Sequence, residues 1–104
     1  GDRFGTACAP ALTDAAIRLL TGMGYHVAHN KPYAGGFITE HYGRPAQGLH
    51  ALQIEINRGL YLNEQTYEPT MGFAPLARDL TQFSAEMMSI PESFIERDTP
   101  LAAE

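Results

Sequence analysis

The sequence predicts an α/β chain. Three patterns carry that prediction: an apolar stripe at helical spacing in residues 10–23, strict alternation in 49–58, and a second helical stripe in 75–90. Helix, short strand, long loop and second strand in that order suit a sheet flanked by helices.

Gly1-Asp2-Arg3-Phe4-Gly5 reads as a loop with no strand before it. Together with a first residue other than Met, it suggests a fragment or a processed product. From Pro10 to Met23, Leu12, Ala16, Leu19, Leu20 and Met23 recur at helical spacing, and Pro10 suits a first turn. Gly22 and Gly24 then provide residues that tolerate a left-handed helix end. Tyr25 to Asn30 follows as a short buried strand with Tyr25 and Val27 on one face. Pro32 and the Gly35-Gly36 pair mark a loop open to unusual backbone conformations or to close approach by a ligand.

Phe37 to Tyr42 is expected to be extended, and Gly43 to Gly48 to connect it onward. Leu49 to Arg58 is the strongest strand, expected inside the sheet with both helices packed on its aliphatic side. Leu52, Ile54 and Ile56 fall on one face, and Gln53, Glu55 and Asn57 form a polar row on the other. Glu64 to Gly72 is irregular. Pro75 opens a helix whose Leu76, Leu80, Phe83, Met87 and Ile90 make one apolar stripe, with the Met87-Met88 pair read as core. Pro91 closes that helix, so residues 1–90 form the folded part and 91–104 a loose tail.

Composition narrows the function classes. A chain of 104 residues with 44% hydrophobic and 10% aromatic residues is long enough for one modest core. The net charge of −5 argues against nucleic acid as a partner, because phosphate binding needs a basic patch. That charge is unevenly spread: residues 1–63 carry a net +1 and residues 64–104 a net −6, so the polar row can still receive an anion. No apolar run approaches the roughly 20 residues that span a bilayer, and no signal segment opens the chain. Cytoplasm is the expected location. Cys8 is the sole cysteine, which excludes an internal disulfide and a Cys-rich metal site, and it reads as a small buried residue.

Glu55 is the leading candidate for chemistry. A carboxylate in the middle of an aliphatic strand is costly to bury unpaired, so it needs either a function or an ion pair with Arg58 or Arg44. Arg44 and Arg58 are candidates for holding substrate carboxylates, since a guanidinium pairs bidentately where an ammonium does not. Tyr42 stands beside Arg44, and Asn30 and Tyr33 can line the same cleft. The histidines form no metal site. His26 and His29 point to opposite faces of a strand, as do His50 and Glu55, and neither H-E-x-x-H nor H-x-x-E occurs.

Several ordered motifs run through residues 1–90. They are Gly1-Asp2-Arg3-Phe4-Gly5-Thr6, Cys8-Ala9-Pro10, Asn30-Lys31-Pro32-Tyr33-Ala34-Gly35-Gly36, His41-Tyr42-Gly43-Arg44-Pro45 and Gln53-Ile54-Glu55-Ile56-Asn57-Arg58 with Leu60-Tyr61. Taken together they resemble the C-terminal half of N-formylglutamate amidohydrolases, which are related to zinc carboxypeptidase-like hydrolases. The resemblance implies the C-terminal part of a three-layer α/β/α sandwich with a mixed sheet. It also implies hydrolysis of N-formyl-L-glutamate to formate and L-glutamate, late in histidine breakdown.

On this resemblance Glu55 is the catalytic glutamate that takes a proton from metal-bound water and passes it to the leaving nitrogen. Tyr42 would donate to the polarised carbonyl. Zinc is expected for the complete enzyme, with ligands that precede the matched region and none in this chain. The expected partners are a small anionic N-acyl amino acid and either the missing N-terminal half or a second copy. Two alternatives stand beside this reading: a metal-free binding or assembly module of the same ancestry, and an amidohydrolase for another N-acyl amino acid.

Overall fold

The computed structural model describes residues 1–96. Four helices organise them: α1 (Pro10–Gly22), α2 (Phe37–Tyr42), α3 (Phe73–Met88) and α4 (Glu92–Glu96), with single 3-10 turns at Pro45–Gln47 and Arg58–Leu60.

Helix α1 forms where the periodicity places it. Pro10 occupies the first turn, where its missing N–H would have had no helical partner. The Ala9 side chain offers no cap; separately, the Ala9 N–H donates to His50 Nδ1 at 3.0 Å, which ties the helix start to the segment 41 residues later. At the other end the Met23 N–H closes onto Leu19 and Leu20, and Gly24 turns the chain away at φ +99°. The buried face is made of small residues, Ala11, Thr13, Ala15 and Ala16. Helix α3 begins at Phe73, two residues before Pro75, which still lies in the first turn and loses no helical hydrogen bond. Leu76 and Phe83 are its buried anchors, and α3 and α4 both pack against α1. The Tyr25 hydroxyl adds a link to α3 by donating to Asp79 Oδ2 at 2.5 Å.

The sheet expected from the alternation is absent among the described residues. Only two isolated antiparallel bridges occur, Arg44 with Leu49 and Leu62 with Pro69. The segment from 50 to 57 is nevertheless strand-like along one edge. The Ala51 N–H donates to Ala7 O, and Gly1 and Gln53 exchange a reciprocal pair, each nitrogen donating to the other's carbonyl at 2.7–2.9 Å. The opposite edge is unpaired: the N–H groups of Leu52, Ile54 and Ile56 make no hydrogen bond among the described residues. Ile54 and Ile56 are 40% and 37% exposed, so this strand is not internal to a sheet. Its aliphatic row faces Ile17 and Leu20 of α1 and Leu76 and Leu80 of α3 across an open groove of about 740 Å³.

Other segments differ from expectation. Tyr25 to Asn30 forms no strand, and Val27 is exposed, because no neighbouring strand lies beside it to take up its backbone. Phe37 to Tyr42 is a helix. Its aromatic and β-branched residues favour extended backbone, but Thr39 is buried with its hydroxyl on Gly36 O, and Phe37 stacks on His41 at 5.0 Å, one turn on. Met88 is 83% exposed rather than core, although its neighbour Met87 is half-buried. Within the stretch expected to be loose, Glu92–Glu96 forms α4 against α1, and 97–104 lie outside the described residues.

Candidate functional site

The site is built from three segments that converge at the polar side of the 50–57 segment. The first is the turn Asp2–Gly5, in which Arg3 and Phe4 adopt positive φ. At its root Asp2 is almost wholly buried and its carboxylate is saturated. Oδ1 accepts from Asn30 Nδ2 at 2.7 Å and from the Gly5 N–H at 3.1 Å, with His29 Nε2 3.0 Å away, and Oδ2 accepts from Thr13 at 3.0 Å. Burial alone would raise the Asp2 carboxyl. The bonds from Asn30, Gly5, His29 and Thr13 outweigh it and hold the group below the usual carboxylate value.

The second segment is the loop from Asn30 to Gly36, and it is strapped to that turn. The Asp2 N–H donates to Asn30 Oδ1 at 2.9 Å, the Arg3 N–H to Ala34 O at 2.7 Å, and Arg3 Nη1 to Gly35 O at 3.2 Å. Arg3 Nη2 also lies 3.5 Å from Glu40 on α2. Gly35 sits at φ +114°, and a side chain there would meet Thr39 Oγ1 at 2.5 Å, so the position needs glycine on both counts.

The third segment carries Gln53, Glu55 and Asn57. The loop meets it through Gly36, whose N–H donates to Gln53 Oε1 at 2.8 Å. Gln53 Nε2 in turn donates to Glu55 Oε1 at 2.5 Å, as side chains two apart on one strand face can. Asn57 turns to its own backbone, where Oδ1 accepts the Gly59 N–H at 2.9 Å.

The predicted residues divide. Glu55 is exposed and lines the groove together with Tyr33, His29, Lys31 and Gln53, and its carboxylate has no ion pair with Arg44 or Arg58. Asn30 is buried in the Asp2 network rather than lining the groove. Tyr42 and Arg44 are exposed outside the groove wall, Tyr42 packing edge-on against His41 at 4.7 Å. Arg58 pairs with Glu64 at 3.6 Å and lies over the Tyr67 ring at 5.6 Å. Cys8 is fully buried, and burial pushes its thiol up, away from the thiolate a nucleophile needs. Among the described residues no group of three or more His, Cys, Asp or Glu side chains is arranged to hold a metal ion.

Asp2 entered the sequence reading only as part of a motif and Gly36 only as part of a glycine loop; their roles, and the linking role of Gln53, escaped it. Gln53 stood in the polar row, but its bond to a loop 17 residues earlier has no sequence signature. The arrangement places a carboxylate that has no ion pair among the described residues, aimed by an amide, on the rim of an open groove, a disposition suited to moving a proton.

The profile of the N-formylglutamate amidohydrolase family matches residues 1–62. The N-formylglutamate deformylase of Pseudomonas aeruginosa is 41% identical over 69 residues, which is 62% of this chain and 25% of that protein. The N-formylglutamate deformylase of Pseudomonas putida is 36% identical over 61 residues, 58% of this chain and 23% of that protein. The crystal structure of N-formylglutamate amidohydrolase from Ralstonia eutropha superposes with a TM-score of 0.81 at 44% identity, covering 93% of this chain and 33% of that one. The chain therefore spans a quarter to a third of the length of these relatives.

Proposed function

Because the chain belongs to the N-formylglutamate amidohydrolase family, we propose that it is the C-terminal portion of a zinc-dependent amidohydrolase that converts N-formyl-L-glutamate and water to formate and L-glutamate. The observation that carries this reading is Glu55, which pairs with no cation among the described residues and is held by Gln53 on the groove rim within the family-matched region. As water oxygen attacks the formyl carbon, Glu55 takes its proton. It then delivers that proton to the amide nitrogen as the C–N bond breaks, so glutamate leaves as a neutral amine.

Arg44 makes no ion pair among the described residues and is the preferred partner for a substrate carboxylate, with Arg58 second because Glu64 competes for it. Tyr42, which lies outside the groove wall, is assigned the formyl oxygen on the family resemblance, and Tyr33 and Asn30 shape the loop at the groove. Among the described residues no His, Cys, Asp or Glu group is arranged to hold a metal, and on this reading the zinc ligands come from the rest of the enzyme.

For the complete enzyme the same reading assigns the 49–58 segment to the interior of a mixed sheet in a three-layer α/β/α domain. The unpaired edge at Leu52, Ile54 and Ile56 and the apolar groove beside it support that assignment, since both call for a neighbouring strand. On the family resemblance the complete enzyme is a cytoplasmic one of histidine breakdown; separately, no helix among the described residues is long and apolar enough to cross a membrane.

The test is release of the free amino acid by the complete enzyme given N-formyl-L-glutamate and, separately, N-acetyl-L-glutamate and N-formyl-L-alanine. The expected result is strong preference for the first. Preference for either other compound moves the assignment to a different N-acyl amino acid, and turnover of none of them favours a binding or assembly module.

A further inference from the structure

Glu55 is an exposed side chain on an extended segment, and left alone it would sample several rotamers. Two observations show that it is held. Gln53 Nε2 donates to Glu55 Oε1 at 2.5 Å, and Gln53 Oε1 accepts the Gly36 N–H at 2.8 Å. The amide orientation follows from its partners, because a backbone N–H requires the oxygen end and a carboxylate requires the NH₂ end. No other hydrogen bond reaches the Glu55 side chain among the described residues, so its second oxygen is left open to the groove.

The anchor behind Gln53 is firm. Gly36 closes a loop whose other end, Asn30, exchanges two hydrogen bonds with the buried Asp2. The position of Glu55 is thereby referred, through Gln53 and the loop, to a carboxylate saturated in the core.

We propose that Gln53 is a positioning residue, coupling the orientation of the Glu55 carboxylate to the glycine loop that closes at Gly36. The proposal rests on the assignment of Glu55 as the proton-transferring group. Its chemistry is pre-organisation: an oxygen held in line with the attacking water avoids the reorientation that a free glutamate would make in every turnover.

The experiment is a double-mutant cycle in the complete, metal-loaded enzyme with Gln53→Met and Glu55→Gln. Gln53→Met is expected to lower kcat by about 10- to 100-fold with KM nearly unchanged, the scale on which misplacing a reacting group acts. In the Glu55→Gln background the same substitution is expected to change kcat by less than about twofold, because no proton-transferring group remains to be aimed. Gln53→Glu keeps the acceptor for Gly36 but loses the donor and is expected to be as slow as Gln53→Met.

A readout independent of turnover is the Gly36 amide resonance. It shifts on Glu55→Gln when Gln53 is present and stays put when Gln53 is Met. Normal kcat in Gln53→Met beside a slow Glu55→Gln overturns the positioning role and leaves Glu55 in place. An equal loss in both backgrounds also overturns it, by showing an effect on the fold. Normal kcat in Glu55→Gln instead removes the underlying assignment.

Discussion

At the residue scale, chemistry in this chain is set by groups far apart in sequence. His50 was read only as a histidine unable to join Glu55 in a metal site, yet its Nδ1 accepts the N–H at the start of α1. Accepting requires the neutral ring, and burial already pushes the His50 pKa below its usual 6.5. A folded-state pKa below the unfolded one means that the unfolded chain takes up the proton first. The His50 contribution to stability is therefore present above about pH 6.5 and declines as pH falls from there through the lower folded value. Thermal melts across that range are expected to show a falling midpoint that flattens in His50→Leu, and parallel curves for the two proteins would contradict the assignment. Arg44 gives a second test. Arg44→Lys is expected to weaken N-formylglutamate binding more than binding of an analogue without the matching carboxylate, because planar bidentate pairing is lost while charge is kept. Titration calorimetry with both ligands decides it, and equal losses would mean that Arg44 does not touch that group.

At the scale of elements, periodicity served for the long helices and failed for short segments. Both helical stripes became helices within about two residues of their expected ends, since burial of one face and a proline in the first turn act locally. Phe37–Tyr42 went the other way because the burial of Thr39, its bond to Gly36 and the Arg3–Glu40 contact, none of them legible in a six-residue window, favour α2. The alternation at 49–58 was legible as extended chain with Gln53 and Glu55 on one face, and the geometry of their side chains agrees. A sheet, however, needs partners, and alternation says nothing about whether the neighbouring strands are at hand. The loop into α2 makes the next prediction. Gly35→Ala adds a Cβ at φ +114° against Thr39, and is expected to destabilise the chain by about 1 kcal/mol or more. Chemical denaturation measures it, and an unchanged midpoint would show that the loop tolerates another conformation.

At the scale of the whole molecule, the core is small. Among the described residues the fully packed apolar positions are mostly alanines with Cys8, Leu76 and Phe83, while Ile54, Ile56, Leu60 and Val27 remain exposed. An unpaired strand edge beside an apolar groove invites another chain. The 104-residue chain alone is accordingly expected to self-associate at micromolar concentration, to hold no stoichiometric zinc and to release no formate. Sedimentation velocity, metal analysis and a formate assay in added zinc check these together, and a zinc-loaded, active monomer would contradict them. The central claim remains the proton transfer assigned to Glu55, and the most direct measurement is kcat of purified Glu55→Gln in the complete, metal-replete enzyme. A positioned acid/base group contributes on the order of 10²- to 10⁴-fold, so formyl hydrolysis is expected to fall by about 10²-fold or more with the thermal midpoint unchanged. Turnover near that of the unsubstituted enzyme would contradict the role given to Glu55.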